Sequence, residues 1–105
     1  MKLHRPLSPR QDARTERALY QAVLTLGTPE ECRAFFRDLC TPAELQALAD
    51  RWAVVEFLRE QLPYREIHRL TGVSVTTIGR VARYLQSGNG GYALAAARSR
   101  EPRHT

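Results

Sequence analysis

Pro63-Tyr64-Arg65-Glu66-Ile67-His68-Arg69-Leu70-Thr71-Gly72-Val73-Ser74-Val75-Thr76-Thr77-Ile78-Gly79-Arg80-Val81-Ala82-Arg83 reads as a short helix, a turn at Gly72 and a second helix. Glycine suits that turn because it adopts φ > 0 without a Cβ clash. Ile67 and Leu70 give the first helix an apolar side, and Val73, Ile78, Val81 and Ala82 are placed for the second helix to pack across it. Ser74, Thr76, Thr77, Arg80 and Arg83 are left facing outward on the second helix, with no carboxylate among them. Hydroxyls read base edges or phosphates and arginine pairs with guanine, so such a helix suits a DNA major groove. The pattern is a helix-turn-helix.

Two amphipathic helices joined by a glycine turn also occur in helical domains that never meet DNA. Local charge separates the cases: Tyr64 to Ser87 holds arginines 65, 69, 80 and 83 against one acid, Glu66. An ordinary solvated face alternates both signs. The candidate DNA-binding residues are therefore Arg65, His68, Arg69, Ser74, Thr76, Thr77, Arg80 and Arg83. Arg65 either meets DNA or pairs with Glu66 or Glu60. Thr76 and Thr77 either approach base edges or bond local backbone at the helix start. His68 either reaches phosphate or packs. Gly79 costs roughly 1 kcal/mol relative to alanine in a helix, which fits either a close approach to DNA or another helix, or simple tolerance.

With 105 residues the chain is expected to be one small domain. A formal charge of +5 and a pI near 9.9 suit a polyanionic partner. Fifteen of the sixteen basic residues are arginine, a bias that GC-rich coding also produces, so it carries little functional weight. No apolar run approaches the ~20 residues needed to span a bilayer. Met1-Lys2-Leu3-His4-Arg5-Pro6 has no apolar core of a secretory signal, and a cytoplasmic location is expected. Cys32 and Cys40, eight apart with no second pair, read as structural thiols. His4, His68 and His104 are scattered. No nucleophile–base set, phosphate loop or metal cluster is visible, so neither enzyme nor cofactor is expected.

Outward from the motif, Pro63 ends a long helix that starts at Thr41-Pro42-Ala43-Glu44 and runs to about Gln61 or Leu62. Leu45, Leu48, Ala49, Trp52 and Val55 form one stripe on it, and Val54, Phe57 and Leu58 add a second apolar face. A helix apolar on two sides needs cover on two sides, and a chain this short has little material for that. One face is assigned to the first two helices and the other to a second subunit, with a compact monomeric bundle as the alternative. A first helix runs from about Ser8 or Arg10 to Leu26, with Leu19, Ala22, Val23 and Leu26 on one face and Gly27 ending it. Thr28-Pro29-Glu30-Glu31 starts the second, with Thr28 as cap and Glu31 returning a capping-box bond. Cys32, Phe35, Phe36 and Leu39 line one stripe of it. Ser87-Gly88-Asn89-Gly90-Gly91 breaks the chain before a last helix over Tyr92–Arg98. The expected organisation is a flexible basic arm at 1–10, a helix-turn-helix domain at 11–98 and a flexible basic tail at 99–105.

Glu30-Glu31-Cys32, Phe35-Phe36, Asp38-Leu39-Cys40-Thr41, the helix-turn-helix and Gly88-Asn89-Gly90-Gly91-Tyr92 together resemble the YerC/YecD family, a branch of the Trp repressor superfamily. The resemblance covers about residues 12 to 98. It implies an all-α, Trp repressor-like intertwined homodimer with one reading head per subunit, acting in transcription regulation on double-stranded DNA. It also aligns Arg65 with a DNA-contacting arginine. In Trp repressor the tryptophan pocket uses residues matching Thr41, Arg51 and Arg80. The repressor has glycine and serine where this chain has Val81 and Tyr84. Those larger side chains are expected to fill the indole slot, leaving a vestigial pocket and regulation without tryptophan as corepressor. Arg51 would then pair with a nearby acid. The alternative function is a protein-interaction module whose helix-turn-helix binds another regulator or a polymerase component.

Overall fold

The structure, a computed structural model, describes residues 8–99. Six helices follow one another: α1 (Pro9–Leu24), α2 (Pro29–Leu39), α3 (Pro42–Arg59), α4 (Tyr64–Thr71), α5 (Val75–Ser87) and α6 (Gly91–Arg98). No strand occurs among the described residues. The chain divides after Thr41 into two compact units. Residues 1–7 of the expected arm and 100–105 of the expected tail lie outside the described residues. Ser8 to Arg10 belong to the start of α1, and Ser99 caps α6.

In the N-terminal unit, Ser8 begins α1 with a reciprocal box: its Oγ accepts the Gln11 N–H at 3.1 Å while Gln11 Oε1 accepts the Ser8 N–H at 2.9 Å. The helix stops at Leu24, earlier than the glycine signal implied. Thr25 closes it, its hydroxyl donating to the Ala22 carbonyl at 2.7 Å. Gly27 is therefore not the terminator. At α2 the Thr28 Oγ accepts the Glu31 N–H at 3.1 Å, as expected of the cap. Glu31 does not return its bond to Thr28; its carboxylate accepts the Gly27 N–H at 2.7 Å, one residue further out. Phe35 and Phe36 meet edge to face at 5.5 Å. Neither helix buries a single residue: Leu24 is 82% exposed, Tyr20 55% and Leu39 51%.

In the C-terminal unit, the second half of α3 supplies Val54 and Val55, both fully buried. Adjacent positions lie about 100° apart on a helix, so burial of both means α3 is wrapped on a broad arc here. Ile67 of α4 and Ile78 and Val81 of α5 complete this core, with Trp52, Phe57, Leu58, Leu62, Val73, Leu85 and Tyr92 packed around it. Leu70 does not join it: at 47% exposure it faces outward, and Ile67 alone anchors α4. The first half of α3 contributes nothing to this core, and Leu48 is 42% exposed.

Between α3 and α4 the chain turns through Gln61, the one described non-glycine residue with positive φ, at 63°. The Leu62 N–H reaches the Phe57 carbonyl at 3.2 Å and the Gln61 N–H reaches that of Leu58 at 2.9 Å. This is a Schellman closure with glutamine in the left-handed position, and it ends α3 at Arg59, short of Pro63. Beyond α5, a Cβ on Gly88 would stand 2.5 Å from the Tyr84 carbonyl oxygen, which is backbone and cannot yield. Gly90 then takes φ 87° and starts α6. That turn returns α6 to the core, where Ala96 is 4% exposed.

Two opposite stability changes follow. Gln61→Gly should stabilise by about 0.5–1 kcal/mol, the relief of a left-handed residue exceeding glycine's extra chain entropy. Gly88→Ala should destabilise by about 1–3 kcal/mol through overpacking. Urea denaturation of each variant checks both signs.

Candidate nucleic-acid interface and adjoining cleft

The turn of the helix-turn-helix is held by side chains as well as by glycine. Gly72 takes φ 76°, and its N–H donates to the His68 carbonyl at 2.8 Å. The Thr71 hydroxyl donates to the Ile67 carbonyl at 2.7 Å and accepts the Val73 N–H at 3.0 Å. His68 Nδ1 lies 2.7 Å from the Val73 carbonyl. A carbonyl only accepts, so Nδ1 carries the proton. His68 thus spans the turn through one ring nitrogen, and only Nε2 is left to face solvent.

Ser74 caps α5. Its Oγ accepts the Thr77 N–H at 3.1 Å and donates to Thr77 Oγ1 at 3.0 Å. Two of the three outward hydroxyls therefore hold the helix start, Ser74 as its cap and Thr77 through the Ser74 hydroxyl. Thr76 remains exposed on the same turn, next to Val75, which is 52% exposed.

Arginine positions separate in the same way. Arg69 donates from Nε to Glu66 Oε1 at 3.1 Å and from a terminal nitrogen to Oε2, a forked pair within α4. That hydrogen bond from Arg69 lowers the pKa of the Glu66 carboxyl. Glu66, the motif's single acid, is thereby consumed by Arg69. Arg65 stands exposed at the second residue of α4, and Arg80 and Arg83 are exposed on α5. The Arg80 guanidinium lies 4.7 Å from the Tyr84 ring centroid and that of Arg83 lies 6.0 Å from it. Such stacking limits the rotamers of both cations while leaving their edges open to acceptors.

Gly79 sits on the α4 side of α5. A Cβ there would meet Tyr64 Cε2 at 4.0 Å, ordinary contact, and nothing nearer. Among the described residues no packing demand calls for glycine at this position.

A cleft of about 620 Å³ opens between α3, α5 and α6. Arg51 of α3 lines it, with Arg80, Val81 and Tyr84 of α5. Asn89 and Gly91 of the turn and Tyr92 of α6 complete the wall. Four of the five pocket candidates are thus brought together. Thr41 is the exposed last residue of the N-terminal unit. Val81, 1% exposed, and Tyr84, which lies under Arg80, both stand in the cleft wall. Asp50, next to Arg51 in the chain, accepts from Gln46 at 2.8 Å. The share taken by Asn89, Gly91 and Tyr92 was missed, although the Gly88-Asn89-Gly90-Gly91 run that folds α6 back was its signal. Among the described residues no cluster suits a metal ion, and no helix is long and apolar enough to cross a membrane.

Residues 15–100 match the Trp repressor protein family. An uncharacterized protein, YerC of Bacillus subtilis (strain 168), is 46% identical over 83 residues, covering 79% of this chain and 80% of that one. A TrpR-like protein from Eubacterium eligens ATCC 27750 superposes with a TM-score of 0.77 at 40% identity, over 81% of this chain and 88% of that one. A candidate Trp repressor from Staphylococcus aureus also gives 0.77, at 36% identity over 88% and 94%.

Two substitutions test the local account. Gly79→Ala should raise stability by about 1 kcal/mol, since only helix propensity changes. His68→Ala should lower it by about 1 kcal/mol through the lost turn bond. Thermal unfolding of the two variants should move in opposite directions.

Proposed function

The chain belongs to the Trp repressor family, and from that premise we propose that it is a sequence-selective regulator that binds double-stranded DNA as a homodimer. One observation carries the reading: the outward face of α5 and the start of α4 present Arg65, Thr76, Arg80 and Arg83, while Glu66 is neutralised within α4. Phosphate contacts from these arginines supply affinity and hold register, and the first turn of α5 reaches base edges. Ser74 and Thr77 shape that turn and His68 and Arg69 brace α4, so these four act by positioning rather than by reading.

The homodimer rests on the uncovered surface. α1 and α2 carry apolar stripes yet bury nothing within the chain, and Leu48 on α3 is exposed as well. A second copy is the occupant that meets every such face at once, through an isologous contact. Two reading heads related by a two-fold axis then address an inverted repeat, with half-site centres about 34 Å apart.

Tryptophan is not required in this reading. Val81 and Tyr84 stand where the repressor has two small residues, and Arg80 rests on the Tyr84 ring. The cleft persists, but its walls differ from an indole slot.

Selection from a random duplex pool should enrich an inverted repeat whose affinity falls steeply with salt. Arg83→Ala should weaken selected and random duplexes alike and reduce the salt slope by about one. Thr76→Ala should change preference at one base pair per half-site and leave the salt slope intact. Selected DNA should bind with the same affinity with and without millimolar L-tryptophan. A pool that enriches no sequence, or a tenfold gain with the amino acid, contradicts the respective part of the proposal.

A further inference from the structure

Val75 is the first residue of α5 and is 52% exposed, although every other aliphatic side chain of that helix turns inward: Ile78 and Val81 are buried and Leu85 packs on the core. Its two methyl groups project from the turn that the Ser74–Thr77 hydroxyl pair holds in place. Those two hydroxyls bond each other, so the tip of the helix has lost most of its polar reading capacity. What it offers outward is Val75 and the neighbouring Thr76, with the cationic side chains of Arg80 and Arg83 further along the same helix.

The major groove contains one apolar feature, the C5-methyl group of thymine, and apolar side chains recognise it by contact. We propose that Val75 is a specificity-determining residue that reads a thymine methyl in each half-site. The inference rests on the DNA-binding reading above and adds to it the identity of one base pair, A·T with its thymine toward Val75. The arginines fix the depth of insertion through phosphates, and the methyl contact supplies discrimination without a hydrogen bond.

Duplexes selected from a random pool are compared with copies in which single thymines are replaced by deoxyuridine, which removes only the C5 methyl. For the unaltered protein one thymine per half-site should be sensitive, at about fourfold in affinity for each methyl lost. Val75→Ala should bind the thymine and deoxyuridine duplexes equally, with its helical circular dichroism unchanged. Adding the methyl back as 5-methylcytosine opposite guanine at that position should recover part of the loss for the unaltered protein only. Sequence-selective binding with no sensitive thymine, or sensitivity that persists in Val75→Ala, overturns the inference and leaves the DNA reading standing. Failure of the pool to yield any selected duplex overturns both.

Discussion

Packing of Val54 and Val55 against Ile67, Ile78 and Val81 is the contact on which the rest of the C-terminal unit depends. One aliphatic cluster joins α3, α4 and α5, so the angle of the helix-turn-helix is set by its fit against the end of α3. Truncating a buried isoleucine in such a cluster typically costs 2–5 kcal/mol, and Ile67 is the sole buried residue of the eight-residue α4. The side-chain bonds at the turn refine that geometry. Thr71, His68 and Ser74 each satisfy a backbone group that the change of direction would otherwise strand.

From this core α5 presents two different surfaces. Its buried edge, Ile78 and Val81, faces the cluster, and the same turn of helix that places Val81 there sends Arg80 and Tyr84 to the cleft wall. Arg80 is shared: it is exposed on the outer side of α5 and it lines the cleft while resting on Tyr84. Gly88 and Gly90 complete the arrangement, because only a chain without Cβ at Gly88 can turn tightly enough to bring Tyr92 opposite Trp52, with ring centroids 6.5 Å apart.

Signals that depend on local backbone chemistry were legible in the residues. Thr28-Pro29 and Thr41-Pro42 marked the starts of α2 and α3, Gly72 marked the turn, and the i, i+3 spacing of Ile78 and Val81 marked the core side of α5. Choices among equivalent partners were not legible. Glu31 reaches Gly27 rather than Thr28, Arg69 rather than Arg65 takes Glu66, and His68 finds Val73. Each alternative has the same residue types within reach, and only three-dimensional placement decides between them. The end of α3 was hidden for a related reason: a Schellman closure announces itself by glycine, and here the left-handed residue is Gln61. Val81 both closes the core and lines the cleft, a double placement that its residue type alone does not announce.

The constraint left over is the apolar surface of α1, α2 and the first half of α3. Stripes with helical period exist to be covered, and within one chain those of α1 and α2 bury no residue. A second copy is the proposed cover for that surface. Sedimentation equilibrium at micromolar concentration tests the assignment most directly. It should give twice the chain's 11.9 kDa, with a thermal midpoint that rises as protein concentration is increased. A particle of single-chain mass, unfolding at a midpoint independent of concentration, would contradict it.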